Sequence, residues 1–462
     1  MSTLRCTSAL SRGLLACMLM VATDPVAYGF EGAALERGLT LPPGVSLGGY
    51  GNLSRRFVVP DLRNKFPFAT WFRPSEGTRD PIRAKVFLLR AADDARLLFV
   101  GLDVVASSAG FRRDLAEALR PVGFDEEDIH VFATHTHSGP AGISDNGFWQ
   151  VTATDRYQPQ LYDSLVSQTV TLARDAAGAL EPVELFAYSV ETSGLQRNRR
   201  RHGAPVDARA RLVVARRKTK HGSYGSYVGG FLNYALHGTA LRPQNLELSA
   251  DAPGVLTDAV SAFLWEKGDK RGPRPAILFL AGSLGDVVPS SQGPEGLVTA
   301  GREFRAQLEK GFERGRRLEP RWTVTSRDVP LGEPLISSRN CLLGTEFEFL
   351  GRLIPRLPVA SFFPRRTTVW NIDLGGVPLA LWPGEPTSRL GAELGAELGQ
   401  NQKEAKKVRE KPWLVSLAND CLAYFTTPDE YAEGGYETCL NLYGAQGGRR
   451  ILDGLHALTS GR

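Results

Sequence analysis

Apolar residues in this chain fall in short runs punctuated by glycine and proline, and the runs switch between two periods. Val86–Arg90 and Leu97–Val105 read as strands, Phe111–Leu119 as an amphipathic helix and Ile129–Thr136 as the next strand. That strand–helix–strand order predicts a parallel pair joined by a crossover. Leu161–Leu180 has helical spacing, and Glu184–Glu191, Ala210–Arg216 and Gly229–Leu236 alternate or run apolar as strands. A helix over Gly254–Trp265 leads to the apolar strand Ala276–Ala281, and a charged amphipathic helix follows over Thr299–Arg317. Val369–Ile372 and Val377–Trp382 predict a hairpin about Gly375-Gly376, then a helix over Ser388–Leu398 and a last core strand over Trp413–Leu417. The pattern predicts an α/β fold of mixed sheets with flanking helices, and no break in composition divides it into separate domains.

Length and charge narrow the function classes. A chain of 462 residues, 42% hydrophobic and 23% charged, can bury a core and still hold a deep cleft. The net charge of +5 resides in short basic runs such as Arg197–Arg201, Arg216–Lys220 and Lys403–Lys411. These read as solvated faces, with attraction to anionic membrane or micelle surfaces as the second reading. No zinc-finger spacing, RNP-like aromatic pattern or basic tail supports a nucleic-acid partner. At the start, Arg5 and Arg12 precede the apolar run Gly13–Ala22, and Ala27 and Gly29 offer a cleavage site. Residues 1–29 therefore read as a signal peptide, leaving 30–462 as a secreted or periplasmic domain. Cys17 lies inside the apolar run, not at its end, which disfavours lipoprotein anchoring. Of the remaining cysteines, Cys341, Cys421 and Cys439, the pair Cys421–Cys439 is the expected bridge.

The chemistry concentrates at strand ends. Thr134-His135-Thr136-His137-Ser-Gly-Pro and Asn233-Tyr-Ala-Leu-His237-Gly-Thr contain three of the chain's 7 histidines, each segment turning into glycine and small residues. On a strand, His135 and His137 would point to one face, so that one could bind a metal while the other moves a proton. Hydrogen-bonded core histidines are the alternative. Asp103 and Asp251 read equally as acceptors orienting metal ligands or as loop caps. Glu385 alone reads as a helix N-terminal acid, and Tyr424 alone as a core aromatic.

Taken in order, these segments resemble the neutral (non-lysosomal) ceramidase family, zinc amidases that split ceramide into sphingosine and fatty acid. The resemblance runs from GGYGN at 48–52 and PIRAKVF at 81–87 through THTHSGP at 134–140, RNRR at 197–200, NYALHGT at 233–239 and LSAD at 248–251. It continues with LGDVVP at 284–289, PGEPT at 383–387, AYFTTPDEY at 423–431 and YETCLNLYG at 436–444. It implies Zn2+ held by His135, His237, Glu385 and Tyr424, with His137 as the base beside the metal and Arg199 facing the reacting amide. It implies a ceramide-like N-acyl lipid as substrate and sphingolipid metabolism as the setting.

Two departures stand out. The family loop reads Gly-Asp-Val-Ser-Pro-Asn, and its serine is needed for activity; here the loop holds Asp286, Val287 and Val288, with Val288 in the serine's place. That exchange leaves open a metal-dependent amidase or esterase with a different substrate, or an inactive lipid-binding homologue. The family also carries a C-terminal β-sandwich, which is not expected here, because the chain ends at 462 soon after its last match at 444.

Overall fold

The computed structural model describes residues 29–462 apart from 219–223, 271, 314, 344–347, 355, 405–409 and 460–462. The expected signal peptide, Cys17 and parts of two basic runs lie outside the described residues. The main sheet is built from β1 (Phe30–Gly38), β2 (Arg83–Arg90), β3 (Arg96–Leu102), β4 (Ile129–Ala133), β5 (Glu181–Glu191), β6 (Arg209–Lys218), β7 (Tyr224–Tyr234) and β8 (Ala276–Ala281). Their spatial order is β8-β7-β6-β5-β1-β2-β3-β4. The outer pairs β7–β8 and β3–β4 are parallel, and every pair between them is antiparallel. A second sheet orders β9 (Trp322–Pro330), β10 (Arg366–Leu374), β11 (Val377–Leu381) and β12 (Trp413–Val415), with β11 and β12 again parallel.

Period-2 alternation explains how the two sheets stack. On β2, Ala84, Val86 and Leu88 face one core, shared with α1 (Ala109–Leu119), α2 (Pro159–Gly178), α3 (Asp251–Lys267) and α4 (Gly293–Gly311). Phe87 and Leu89 face the opposite core, where Ile372, Leu379, Leu381 and Trp413 of the second sheet meet them. The far face of that sheet packs Val369, Ala380 and Leu414 against α5 (Ser388–Glu404) and α6 (Gly447–Thr459) through Leu390, Leu394, Ile451 and Leu455. The result is helices, sheet, sheet, helices. Strands buried on both faces must be apolar at nearly every position, which is why several read as unbroken runs.

Most elements appear where the pattern places them, and the exceptions have local causes. The strand expected over Ile129–Thr136 stops at Ala133, because His135 adopts a left-handed φ of 60°. The helix expected over Thr299–Arg317 runs from Gly293 to Gly311, and Arg316–Arg317 instead pairs with β5. The disulfide joins Cys341 to Cys439, not Cys421 to Cys439, and Cys421 is a free thiol. Just before Cys421, the segment 416–419 is stitched to the main sheet: Ser416 N donates to Ala281 O at 2.7 Å and Asn419 N to Val131 O at 2.7 Å.

That stitch buries His130. Its Nδ1 lies 3.2 Å from Asn419 Nδ2, which donates to it, and its ring meets Trp370 edge-on at 5.4 Å. Burial first, then the charge of Arg112, depresses its pKa from 6.5 to about 3. The unfolded chain therefore binds a proton between those values that the folded chain refuses, so this residue's stabilising contribution is complete above pH 6.5 and lost as pH falls. Asp103 and Asp251, raised to about 6 by burial, act in the opposite sense over their own range. Comparing His130→Gln with the parent isolates the histidine. The parent's unfolding free energy should fall by about 2–3 kcal/mol more than the variant's between pH 7 and about 4.5. Parallel denaturation curves across that range would refute it.

Candidate metal centre

All three parallel strand pairs deliver their C-terminal ends to one place, the position where open α/β sheets bind ligands. The turn after β4 contributes His135 and His137, the turn after β7 His237, and the turn after β8 the loop to Val288. From the second sheet come Glu385, after β11, and Tyr424, after β12; these two form a directly opposed parallel pair. The histidine turns are sewn together by the Thr136–Gly238 bridge and by His137 N donating to Gly238 O at 2.9 Å. A Cβ on Gly238 would stand 2.6 Å from Thr136 Cα, so only glycine permits that approach.

Each of two imidazoles is fixed in one tautomer. His135 Nδ1 donates to Val105 O at 2.6 Å, and His237 Nδ1 donates to Val287 O at 3.0 Å. Both therefore turn the lone pair of Nε2 inward, where each Nε2 lies 3.2 Å from Glu385 Oε2. That carboxylate oxygen is buried and lies off the line of any donor, so it accepts no hydrogen bond. Tyr424 Oη is 3.3 Å from His237 Nε2, and His137 Nε2 is 3.3 Å from His135 Nε2. Two inward-facing imidazole lone pairs converging on a buried carboxylate oxygen suit a cation. His135, His137 and His237 by themselves can hold a metal ion.

His137 differs from the other two. Its Nδ1 has no partner, its ring rests edge-on against Tyr50 at 4.6 Å, and its own carbonyl accepts from Arg55 Nη1 at 3.0 Å. Gly49, at φ 100°, makes room for it, since a Cβ there would stand 2.5 Å from the ring. Because His135 Nε2 presents a lone pair, the 3.3 Å contact places the His137 proton on Nε2 and leaves Nδ1 bare, so a proton taken up at Nδ1 breaks no structural bond.

The electrostatics follow from burial. Burial would raise the Glu385 carboxyl, but positive charge at the adjoining His135 and His237 holds it well below the usual carboxylate range, so the ionised carboxylate goes with a cation beside it, a proton on an imidazole or a metal ion. Burial pushes the Tyr424 phenol well above its usual value, reinforced by Glu385. Burial lowers His237 to about 4 and takes His137 well below its usual value, with neighbouring imidazoles adding to the His137 shift. His137 and His237 are thus available as neutral donors of a lone pair.

Of the arginines in the 197–201 run, Arg199 is the one that faces the centre. Its Nη2 donates to Tyr424 Oη at 3.0 Å and to Gly285 O at 2.8 Å, while Nε is anchored on Glu437 at 2.8 Å. Arg200 shares Glu437 and ties down Gly434, and Arg201 pairs with Glu433 at the surface. Glu437 belongs to the YETC stretch but went unremarked in the sequence, as did the carbonyls of Val105 and Val287, which no side-chain pattern reveals.

Asp251 and Asp103 turn out to be loop caps. Asp251 accepts from Ala240 N and Leu241 N, both at 2.8 Å, so it braces the turn beyond His237; Asp103 accepts from Arg83 N at 2.9 Å. Asp286 is buried and accepts from Ser388 N and Asn198 Nδ2, tying its loop to the start of α5. Val288 sits opposite Arg197 in a two-strand ladder and lines a cavity of about 1220 Å³. His135, His137, Glu385, Arg199 and Tyr424 line the same cavity, and Leu102, Val104, Phe111, Ile143, Leu165 and Phe363 provide apolar wall.

The family model for neutral/alkaline non-lysosomal ceramidase, N-terminal part, matches residues 66–304. The chain belongs to that family. It is 23% identical to a neutral ceramidase of Mycobacterium tuberculosis over 80% of this chain and 69% of that protein. It is 32% identical to a neutral ceramidase of Pseudomonas aeruginosa over 50% of this chain and 35% of the relative. Neutral ceramidase A of Dictyostelium discoideum is 25% identical over 46% of this chain, a match spanning about a third (31%) of that relative's length. The crystal structure of neutral ceramidase from Pseudomonas aeruginosa superposes with a TM-score of 0.72, 18% identity, 93% of this chain and 74% of that one. That likeness establishes the mixed α/β fold.

Replacing Glu385 by glutamine keeps the shape of the centre and removes its charge. Equilibrium dialysis against zinc should show affinity reduced by at least roughly tenfold relative to the parent. An unchanged affinity would mean that this carboxylate is no ligand.

Proposed function

We propose that this ceramidase-family protein is a zinc-dependent amide hydrolase that cleaves the N-acyl bond of ceramide-like lipids into a fatty acid and a sphingoid base. The observation that carries the reading is the bare Glu385 oxygen between two tautomer-fixed imidazoles, at a cavity with extended apolar walls. His135, His237, Glu385 and Tyr424 are the proposed zinc ligands; two neutral nitrogens, a carboxylate and a phenolic oxygen suit a borderline-soft divalent ion. Bound there, zinc would supply Lewis acidity and make water a competent nucleophile near neutral pH.

The protein's own groups carry the rest. The apolar wall receives the acyl chain and brings the amide carbonyl to the polar end of the cavity. As water adds to the carbonyl carbon, negative charge grows on the carbonyl oxygen, and Arg199, held rigid by Glu437, supplies the compensating donor. His137 accepts the water proton and passes it to the departing nitrogen as the C–N bond breaks, so the products are a carboxylic acid and an amine. Burial keeps His137 neutral and hence able to accept that proton. Export from the cytoplasm belongs to the same reading; the apolar N-terminal run supports it, as does the Cys341–Cys439 disulfide, a bond that persists in oxidising compartments.

The direct test is zinc-dependent release of fatty acid from labelled ceramide by the purified protein. His137→Gln should retain zinc and lose roughly 10²–10⁴ in rate, whereas His135→Ala should lose metal and activity together. A zinc-loaded parent that releases no fatty acid from ceramide would end the ceramide assignment.

Val288 favours a second reading, a related amide or ester as substrate. A hydroxyl at this position would offer a hydrogen bond that valine cannot, a contact worth about 2–4 kcal/mol in comparable sites. If ceramide is the substrate, Val288→Ser should raise kcat/KM toward it by roughly tenfold or more. A fall in ceramide turnover on this exchange, with a gain on a simpler N-acyl amine, would favour the second reading.

A further inference from the structure

Two lobes at the cavity mouth expose large apolar side chains that no described residue covers. In the first, Leu53, Val58, Val59 and Leu62 project to solvent, with Val58 96% exposed. In the second, Phe349, Leu353 and Ile354 do the same, with Leu353 72% exposed. Their surroundings place both at one opening: Gly51 and Asn52, leading into the first lobe, and Phe362, leaving the second, line the same cavity. The segment 146–154 spans the gap, since Arg56 Nη1 donates to Val151 O at 2.5 Å and Asn146 Nδ2 to Phe362 O at 2.6 Å. Basic residues accompany the apolar ones in the first lobe, where Arg63 and Lys65 are exposed and the acid Asp61 is occupied by Phe66 N at 2.7 Å; the second lobe carries both signs, Arg352 and Arg356 following Glu346 and Glu348 in the sequence.

We propose that these two lobes form a docking surface for an anionic lipid bilayer, seating the cavity mouth against the membrane. Isolated exposed apolar residues are ordinary, but apolar side chains clustered on two sides of one opening and accompanied by cations match an interfacial site. The apolar tips of both lobes enter the headgroup region, and Arg63 and Lys65 of the first meet lipid phosphates. A two-chain lipid then reaches the apolar wall without crossing water. The surface gains its purpose from the lipid-hydrolase reading, but its test does not depend on that reading.

The test is co-sedimentation of the protein with phosphatidylcholine vesicles, with and without phosphatidylglycerol and free of any N-acyl substrate. The parent should bind the anionic vesicles and lose binding as salt rises. Val58→Glu/Val59→Glu and Leu353→Glu/Ile354→Glu should each weaken binding at least about tenfold. Val298→Glu, at a 71% exposed position on α4, should leave it unchanged. All five changes are at exposed positions, and an unaltered thermal midpoint checks that the fold survives. Parent protein remaining in the supernatant with both vesicle types, or equal losses in all three variants, would overturn the proposal. Self-association of the parent that the lobe variants abolish, without vesicle binding, would assign the lobes to a second copy of the chain and overturn it too. Hydrolysis of a dispersed short-chain ceramide that persists without vesicle binding would leave the enzymatic reading standing.

Discussion

The centre depends on two hydrogen bonds from imidazole to backbone. Val105 O and Val287 O each take the Nδ1 proton of a histidine, at 2.6 and 3.0 Å, and so decide that both Nε2 lone pairs point at Glu385. With the opposite tautomer, each Nε2 would carry a proton and donate to the carboxylate, and the cluster would be a closed polar network instead of a cation site. The carbonyls are fixed by the sheet. Val105 lies just beyond β3, next to the strand that delivers His135, and Val287 lies beyond β8, next to the strand that delivers His237. In both cases the strand supplying the histidine is parallel to the one supplying its acceptor.

This explains which parts of the site the sequence reveals. Side chains that must be a particular type leave motifs, and THTH, ALHGT, PGEPT and AYFTT lead to His135, His237, Glu385 and Tyr424, which the fold brings within a few ångströms of one another. Arg199 is resolved from its basic neighbours only by the ladder that aims it at Tyr424. What carbonyls do is invisible, because any residue supplies one. The period-2 argument for His135 and His137 reached the right neighbourhood by the wrong geometry. The strand ends at Ala133, and the left-handed turn at His135 is what brings both rings, 4.8 Å apart, into the centre. The disulfide differs from the expected pair: Cys439 bonds Cys341, 98 residues earlier in the chain, a partnership that only the fold reveals.

Burial imposes a cost that the arrangement offsets locally. An ionised carboxylate, a guanidinium and three imidazoles lie together out of water, where unpaired charge is heavily penalised. Arg199 is compensated by Glu437, and Glu437 in turn serves Arg200 as well. Among the described residues Glu385 has no ion pair with arginine or lysine; its Oε2 lies 3.2 Å from Nε2 of His135 and of His237. A carboxylate in that state calls for a positive charge beside it, which a metal ion held by the same imidazoles could supply.

The same architecture tolerates Val288. Asp286 anchors its loop through Ser388 and Asn198, and Val287 serves His237 through its backbone carbonyl, so neither the loop's path nor the metal ligands rely on the side chain at 288. That side chain affects only what the cavity presents to a bound molecule. A hydroxyl at this point can be lost without disturbing the cation site, and valine replaces a polar contact with more apolar wall. Chemistry and substrate recognition are therefore separable here, with backbone and second-sheet contacts fixing the first and the lining of one loop adjusting the second.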